Sequence, residues 1–180
     1  MAFDIRTIDT TYPRPASLFE LIRDVYTTSD HMSESFSEKY HDVSVLTAEV
    51  ADITNRPGAV FLVAEAEKKP LGYLIVKPRH QTKLRHTADL HMGIHSCARG
   101  QGLGGTLIEK ALTQLELAGG VEIVYLMVRA DNLSAIALYS RMGFDSIATL
   151  KKDTKVNGVY FDGILMRRFI HPQKAQTGEQ

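Results

Sequence analysis

Between Arg99 and Gly105 the chain reads Arg-Gly-Gln-Gly-Leu-Gly-Gly, with four glycines in six residues. Upstream, Thr87 to Ile94 alternates polar and apolar residues as a half-buried strand does. Downstream, Leu103, Leu107, Ile108, Ala111, Leu112, Leu115 and Ala118 fall on one stripe of period 3.6, and Gly119-Gly120 supplies a C-terminal stop. A strand that feeds a helix through so many glycines admits few folds. It points to an α/β arrangement in which the backbone, stripped of Cβ atoms, can approach a ligand closely. The first turn of a helix also carries unpaired amides and the positive end of the macrodipole, so the natural guest is an anion such as phosphate or pyrophosphate. Leu103, Gly104, Gly105 and Thr106 are the candidate amide donors, and Arg99 adds charge.

The identity of the anion is less constrained. A kinase-like P-loop needs a lysine after its final glycine, whereas Gly105 is followed by Thr106 and Leu107, so that reading fails. Gly100, Gly102 and Gly105 formally match a dinucleotide fingerprint, and Asp131 ends the next strand. Against it, His95 to Arg99 intervene between strand and loop, and fewer than half the residues remain to complete a doubly wound sheet. An acyl-CoA pyrophosphate loop is the third reading, and a tight turn without a ligand is the fourth.

The rest of the chain supplies the context. Phe3 to Ile8 reads as a strand, and Leu18, Phe19, Ile22, Val25 and Tyr26 as a helix after Pro13 and Pro15. Thr27 to Tyr40 reads as a polar loop leading to a second helix that ends near Asn55-Arg56-Pro57-Gly58. Ala59 to Ala66 and Leu71 to Val76 form a hairpin about Lys68-Lys69-Pro70. Ile123 to Val128 is a strand covered on both faces, and Asn132 caps a short helix ended by Gly143. Phe144 to Leu150 and Val159 to Phe169 are the closing strands. The order βααβββαβαββ is a mixed α/β (α+β) fold, one domain over 1–170, with a polar, disordered tail expected over 171–180.

Composition removes other classes. Lysine plus arginine and aspartate plus glutamate stand at 21 each in 180 residues, which argues against a nucleic-acid binder working through bulk charge. The basic connector Lys77, Arg79, His80, Lys83, Arg85, His86 has no interleaved aromatic and reads as a solvated hairpin end. No apolar run approaches the ~20 residues of a membrane span, and the N-terminal residues lack a signal-peptide core. The single cysteine, Cys97, fits a reducing compartment, so the expectation is a soluble cytoplasmic protein.

Here the residues resemble the GNAT superfamily of N-acetyltransferases. Its cofactor loop reads Gln/Arg-x-x-Gly-x-Gly/Ala, filled by Arg99, Gly102 and Gly104, after a strand of form Leu-x-x-x-Val/Ile met by Leu90 and Ile94. Its downstream motif Asn-x-x-Ala-x-x-x-Tyr-x-x-x-Gly-Phe is met by Asn132, Ala135, Tyr139, Gly143 and Phe144. The ending Val156-Asn-Gly-Val-Tyr-Phe-Asp-Gly163 also looks like the bacterial branch that acetylates amino acids and similar small amines. The resemblance implies a twisted, mostly antiparallel sheet flanked by about four helices, with the strands on either side of the loop-and-helix unit splayed apart. It implies acetyl transfer from acetyl-CoA to a primary amine, by direct attack in a ternary complex. Gly100, Gln101 and the amides of Leu103 to Thr106 then belong to the pyrophosphate loop. Met92, Gly93 and Ile94 would pair with the pantetheine arm, and Asn132, Ala135 and Tyr139 would line it. Protein N-terminal or lysine acetylation, and a non-catalytic CoA-binding module, are the alternatives.

The chemistry needs a neutral amine, a polarised thioester carbonyl and a proton for the leaving thiolate. The resemblance gives the last task to Tyr139, whose phenol is protonated at neutral pH. Alternation places Asp89, His91 and Gly93 on one strand face and Leu90, Met92 and Ile94 on the other. Asp89, where relatives carry glutamate, and His91 are therefore the candidates for the amine's proton. His91 and His95 stand roughly 13 Å apart on a strand, too far to share an ion, so no metal is expected. The loop with Tyr26, Asp30, His31 and Glu34 and the turn from Asp153 to Tyr160 are where the family places acceptor specificity. An edge strand near the C-terminus leaves a homodimer open.

Overall fold

A computed structural model describes residues 2–32 and 34–171. Strand β1 (Asp4–Thr7) is followed by helices α1 (Pro15–Thr27), α2 (Phe36–Lys39) and α3 (Val43–Thr54). Then come β2 (Val60–Ala66), β3 (Lys69–Pro78), β4 (Thr87–Ile94), α4 (Leu103–Ala118), β5 (Ile123–Arg129), α5 (Leu133–Arg141), β6 (Asp145–Val156) and β7 (Val159–Phe169). The seven strands form one sheet in the order β1-β2-β3-β4-β5-β7-β6. Every pairing is antiparallel except β4 with β5.

Local chemistry starts the helices where they start. Pro15 opens α1, where a missing N–H costs nothing. Asp42 caps α3 through Ser44 N, and Asn132 caps α5 through Ala135 N. A third helix before β2, absent from the reading of the sequence, is the single turn α2. It is nucleated by a reciprocal capping box between Ser35 and Glu38 inside the expected loop. The fold is the mixed, mostly antiparallel one expected, with five α-helices among the described residues. β6 runs six residues past Leu150, through a bulge between Leu150 and Thr154. Residues 172–180, most of the expected tail, lie outside the described residues.

Two cores divide the sheet. Alternate residues of β2 and β3 (Leu62, Ala64, Leu74, Val76) pack with Leu90, Val124, Leu126 and the stripe of α4. The intervening ones (Phe61, Val63, Tyr73, Ile75) pack against α1 and α3. β2 is therefore buried on both faces, which explains its unbroken apolar run. The β5-β7-β6 end is covered differently. Val124, Leu126 and Met166 lie in the α4 core, while Met127 and Phe169 on the other face are 46% and 47% exposed.

One topological feature positions the site. β4 and β5 pair only from Thr87↔Ile123 to Asp89↔Tyr125. Beyond that point β4 stays bonded to β3 as far as Ile94↔Gly72, and β5 stays bonded to β7 as far as Arg129↔Gly163. Each strand follows its own antiparallel partner, so the two part company. The facing backbone edges of Leu90–Ile94 and Leu126–Arg129 are left without a mutual ladder.

Candidate active site

The glycine loop lies at the end of β4, on one lip of this cleft. Gly100 and Gly102 have φ of +72° and +79°, and a Cβ on either would meet nothing within 4 Å. The requirement there is conformational rather than steric. Gly102 is the N-cap of α4, with no side chain capping it and no acidic residue in the first turn. Thr106 N and Oγ1 both bond Gly102 O (3.3 and 3.4 Å), which removes Thr106 from the expected donor set. Leu103, Gly104 and Gly105 keep amides without a backbone partner among the described residues. Gly104 also permits a close approach, since a Cβ there would lie 3.0 Å from Leu138 Cδ2 and 3.1 Å from Met92 Cε. The arrangement is a positive backbone nest open to an anion.

The loop's long side chains face the protein. Gln101 Nε2 donates to Cys97 O at 2.9 Å. Arg99 donates to Ile94 O (3.1 Å), Thr28 O (3.1 Å) and Thr28 Oγ1 (2.6 Å). Its charge stays near the nest, and its Nε, Nη1 and Nη2 each bond an acceptor of the protein.

β4 presents the expected faces. Leu90, Met92 and Ile94 belong to the α4 core, and Gly93 backs onto α1, where a Cβ would lie 2.6 Å from Val25 Cγ1. Asp89 sits where the β4–β5 pairing ends and takes a bidentate ion pair from Arg79 (3.0 and 2.7 Å), which also lies 5.2 Å over the Tyr125 ring. A carboxylate with both oxygens engaged by guanidinium is a poor free base, and the sequence signal for this was Arg79 itself, set aside in the basic connector. His91 is two residues further into the cleft, on the same face and exposed to solvent. The surrounding walls still desolvate it, and Lys39 repels its cation, so its pKa lies below the ordinary histidine value despite the opposing pull of Asp89 and Glu49. The imidazole is therefore neutral at pH 7.

Lys39 is a residue the sequence did not single out. Its Nζ stands 3.3 Å from Glu34 and 3.7 Å from Glu49, and the Tyr40 hydroxyl donates to Glu49. Glu34, in the loop where the resemblance places acceptor specificity, is thus already paired with a cation. On the far lip, Arg129 holds Asp131 with two 2.7 Å bonds and lies 3.9 Å over the Phe161 ring.

α5 contributes the remaining groups. Asn132 Oδ1 accepts from Ala135 N (3.2 Å) and Ser134 Oγ (3.1 Å), leaving its amide nitrogen uncommitted among the described residues. Ala135 and Tyr139 pack at the edge of the α4 core, and the Tyr139 ring meets Phe144 edge-on at 5.9 Å. Burial pushes the Tyr139 pKa up to about 12, so its hydroxyl keeps its proton throughout the physiological range. The structure thus brings the loop, β4 and α5 together at Gly104, which faces Met92 and Leu138, and sets His91 on β4 beyond the end of its pairing with β5. It leaves Asp89 engaged at its closed end. Among the described residues no group of His, Cys, Asp and Glu could hold a metal ion, and no helix is long and apolar enough to cross a membrane.

Comparison with known proteins bears on this arrangement. Residues 17–144 match the sequence model of the acetyltransferase (GNAT) family. The chain is similar to the L-amino acid N-acetyltransferase AaaT of Escherichia coli (strain K12), at 28% identity over 116 residues, covering 64% of this chain and 72% of that protein. Over a shorter stretch of 53 residues it is 45% identical to the ribosomal protein bS18 alanine N-acetyltransferase of the same strain, covering 29% of this chain and 34% of that one. The GNAT superfamily phosphinothricin acetyltransferase of Sinorhizobium meliloti, solved in complex with AcCoA, superposes with a TM-score of 0.84. That alignment covers 100% of this chain and 95% of the other at 20% identity, which shows a common fold.

Proposed function

The chain belongs to the GNAT acetyltransferase family, and on that premise we propose that it transfers the acetyl group of acetyl-CoA to the primary amine of an amino-acid-like small molecule, by direct attack with both substrates bound. The observation that carries this reading is the parting of β4 and β5 beside an α4 N-terminus with three free amides.

The residues present fit acetyl-CoA. The nest at Leu103, Gly104 and Gly105 suits a pyrophosphate, and no acidic residue stands in the first turn to oppose it. The edge of β4 turned away from β3, over Met92, Gly93 and Ile94, offers backbone groups to the amide-rich pantetheine arm, and Asn132 and Ala135 line its other side. The bound donor supplies an activated acetyl thioester. His91, neutral for the reasons above, accepts the proton of the incoming ammonium at a ring nitrogen. Tyr139 Oη donates its proton to the departing thiolate. Asp89 fixes Arg79 and shapes the closed end of the cleft without taking the proton.

The amino-acid assignment is supported by the relative AaaT, whose similarity spans 64% of this chain, against 29% for the ribosomal-protein enzyme. The test has two stages. CoA and acetyl-CoA, but not NAD, are expected to raise the melting temperature, because a ligand that binds only the native state stabilises it. Thiol release is then followed with the twenty L-amino acids, phosphinothricin and a short alanine-initiated peptide. Turnover with the free amino acids supports the proposal. Turnover with the peptide alone would move it to protein acetylation, CoA binding with no thiol release would leave a binding module, and a response to NAD without CoA would overturn it.

A further inference from the structure

The stretch 28–31 that follows α1 meets both lips of the cleft, and an arginine from each lip holds it. On the β4 side Arg99 takes Thr28 O (3.1 Å) and Thr28 Oγ1 (2.6 Å), while its Nε holds Ile94 O, the last carbonyl of β4. Next to it, Asp24 of α1 accepts from Ser96 N at 2.8 Å and Ser96 Oγ at 3.0 Å. Thr28 N and Oγ1 turn back to Asp24 O at 2.9 and 2.7 Å. On the β5 side Arg129, only 8% exposed, donates to Asp30 O from the end of that strand, and His31 Nε2 lies 3.8 Å from Asp131. Thr28 and Asp30 are two residues apart, so this short strap links the ends of two strands that have lost their own ladder.

We propose that Arg99 is a positioning residue that seats the acceptor wall on the cofactor loop, with Arg129 as the second pin. An arginine in a phosphate-type loop would ordinarily be read as a ligand of the phosphate. Its guanidinium is a rigid planar fork, and here both terminal nitrogens engage one threonine. The hydroxyl, the carbonyl and the supporting Asp24 make a site built for the arginine. Side chains of the strap then hold one position relative to the nest, and the acceptor amine meets a wall already registered to the donor. This inference rests on the acetyl-transfer reading for its kinetics but not for its geometry.

Two variants and two donors test it. Thr28→Val removes the hydroxyl while keeping the shape, and Arg99→Met removes the fork. With the fastest acceptor of the amino-acid panel, both are expected to raise acceptor KM roughly tenfold, as loss of a hydrogen bond to a charged group implies. Thr28→Val is expected to leave the KM for acetyl-CoA within about twofold. Arg99→Met should raise acceptor KM by the same factor whether the donor is acetyl-CoA or S-acetylpantetheine, which has no pyrophosphate. A penalty confined to the KM for acetyl-CoA would make Arg99 a phosphate ligand and overturn the proposal. So would an unchanged acceptor KM in Thr28→Val. Amide hydrogen exchange gives a readout that needs no turnover, since the amides of Thr28 and His31 are bonded to Asp24 O and Ser29 Oγ. Both variants are expected to speed their exchange roughly tenfold, and unchanged exchange sinks the strap. A wild-type protein that turns over no amine would defeat the acetyl-transfer reading alone, because exchange still judges the strap.

Discussion

Replacing Gly93 by alanine adds one methyl group where α1 meets β4. The new Cβ would lie 2.6 and 2.9 Å from the two Cγ atoms of Val25 and 2.7 Å from Tyr73 Cε1, against the 3.4 Å at which ordinary contact begins. Neither neighbour can swing into solvent, since Val25 is 3% and Tyr73 4% exposed. Tyr73 is also fixed directly opposite Gly93 in the β3–β4 ladder. Overpacking a close-packed interior costs ~1–3 kcal/mol, and three simultaneous contacts at these distances put Gly93→Ala at about 3 kcal/mol. For a chain of this size that lowers Tm by roughly 6–12 °C. Urea unfolding should show the midpoint fall with m unchanged, marking a native-state effect. Val25→Ala removes two of the three contacts at a cost of about 2 kcal/mol for the cavity it leaves. The double variant should therefore lose about 3 kcal/mol rather than the additive ~5, a coupling of roughly 2 kcal/mol. A neutral Gly93→Ala, or strict additivity with Val25→Ala, would refute the claim that glycine is present to let the helix carrying Asp24 approach the strand.

Other consequences follow from the proton-handling groups. Tyr139→Phe keeps the edge-on contact with Phe144, so it should alter stability by less than ~0.5 kcal/mol while lowering kcat roughly 10²–10⁴-fold; an unchanged kcat at saturating substrates would remove Tyr139 from the chemistry. His91 must be neutral to act, and its pKa lies below 6.5, so the acid limb of kcat/KM should fall below that pH and vanish in His91→Gln. Lys39→Met removes a cation that disfavours imidazolium and should move the limb to higher pH; movement the other way would contradict the assignment. Asp89→Asn removes a charge that favours imidazolium, so it should move the acid limb to lower pH without abolishing it, and it should cost about 1 kcal/mol or less by unfolding titration because the pair with Arg79 is partly solvated.

The sequence was most informative where chemistry is local. The four glycines, the apolar stripe from Leu103 to Leu115, and Asn132 with Gly143 mark the loop, α4 and α5 by interactions reaching three or four residues along the chain. The alternation of Thr87 to Ile94 likewise sorted His91 and Gly93 from Leu90 and Met92, because side-chain direction in a strand depends on parity alone. Even there a short-range signal was missed: Ser35 and Glu38 form a capping box within a stretch read as loop.

Partnership was beyond its reach. Asp89 and Arg79 meet because β3 and β4 are antiparallel neighbours, and that pairing takes from Asp89 the part its position in the motif suggests. Arg99 reads as a phosphate ligand, and nothing along the chain announces that its guanidinium bonds Thr28, 71 positions away. The cleft itself is encoded in no segment, since it arises from two strands each keeping an antiparallel partner and so abandoning each other after Asp89 and Tyr125. Propensity, parity and capping act over a few residues and are written in order along the chain. Which donor meets which acceptor depends on elements packed from distant parts of that chain, and only the tertiary structure decides it.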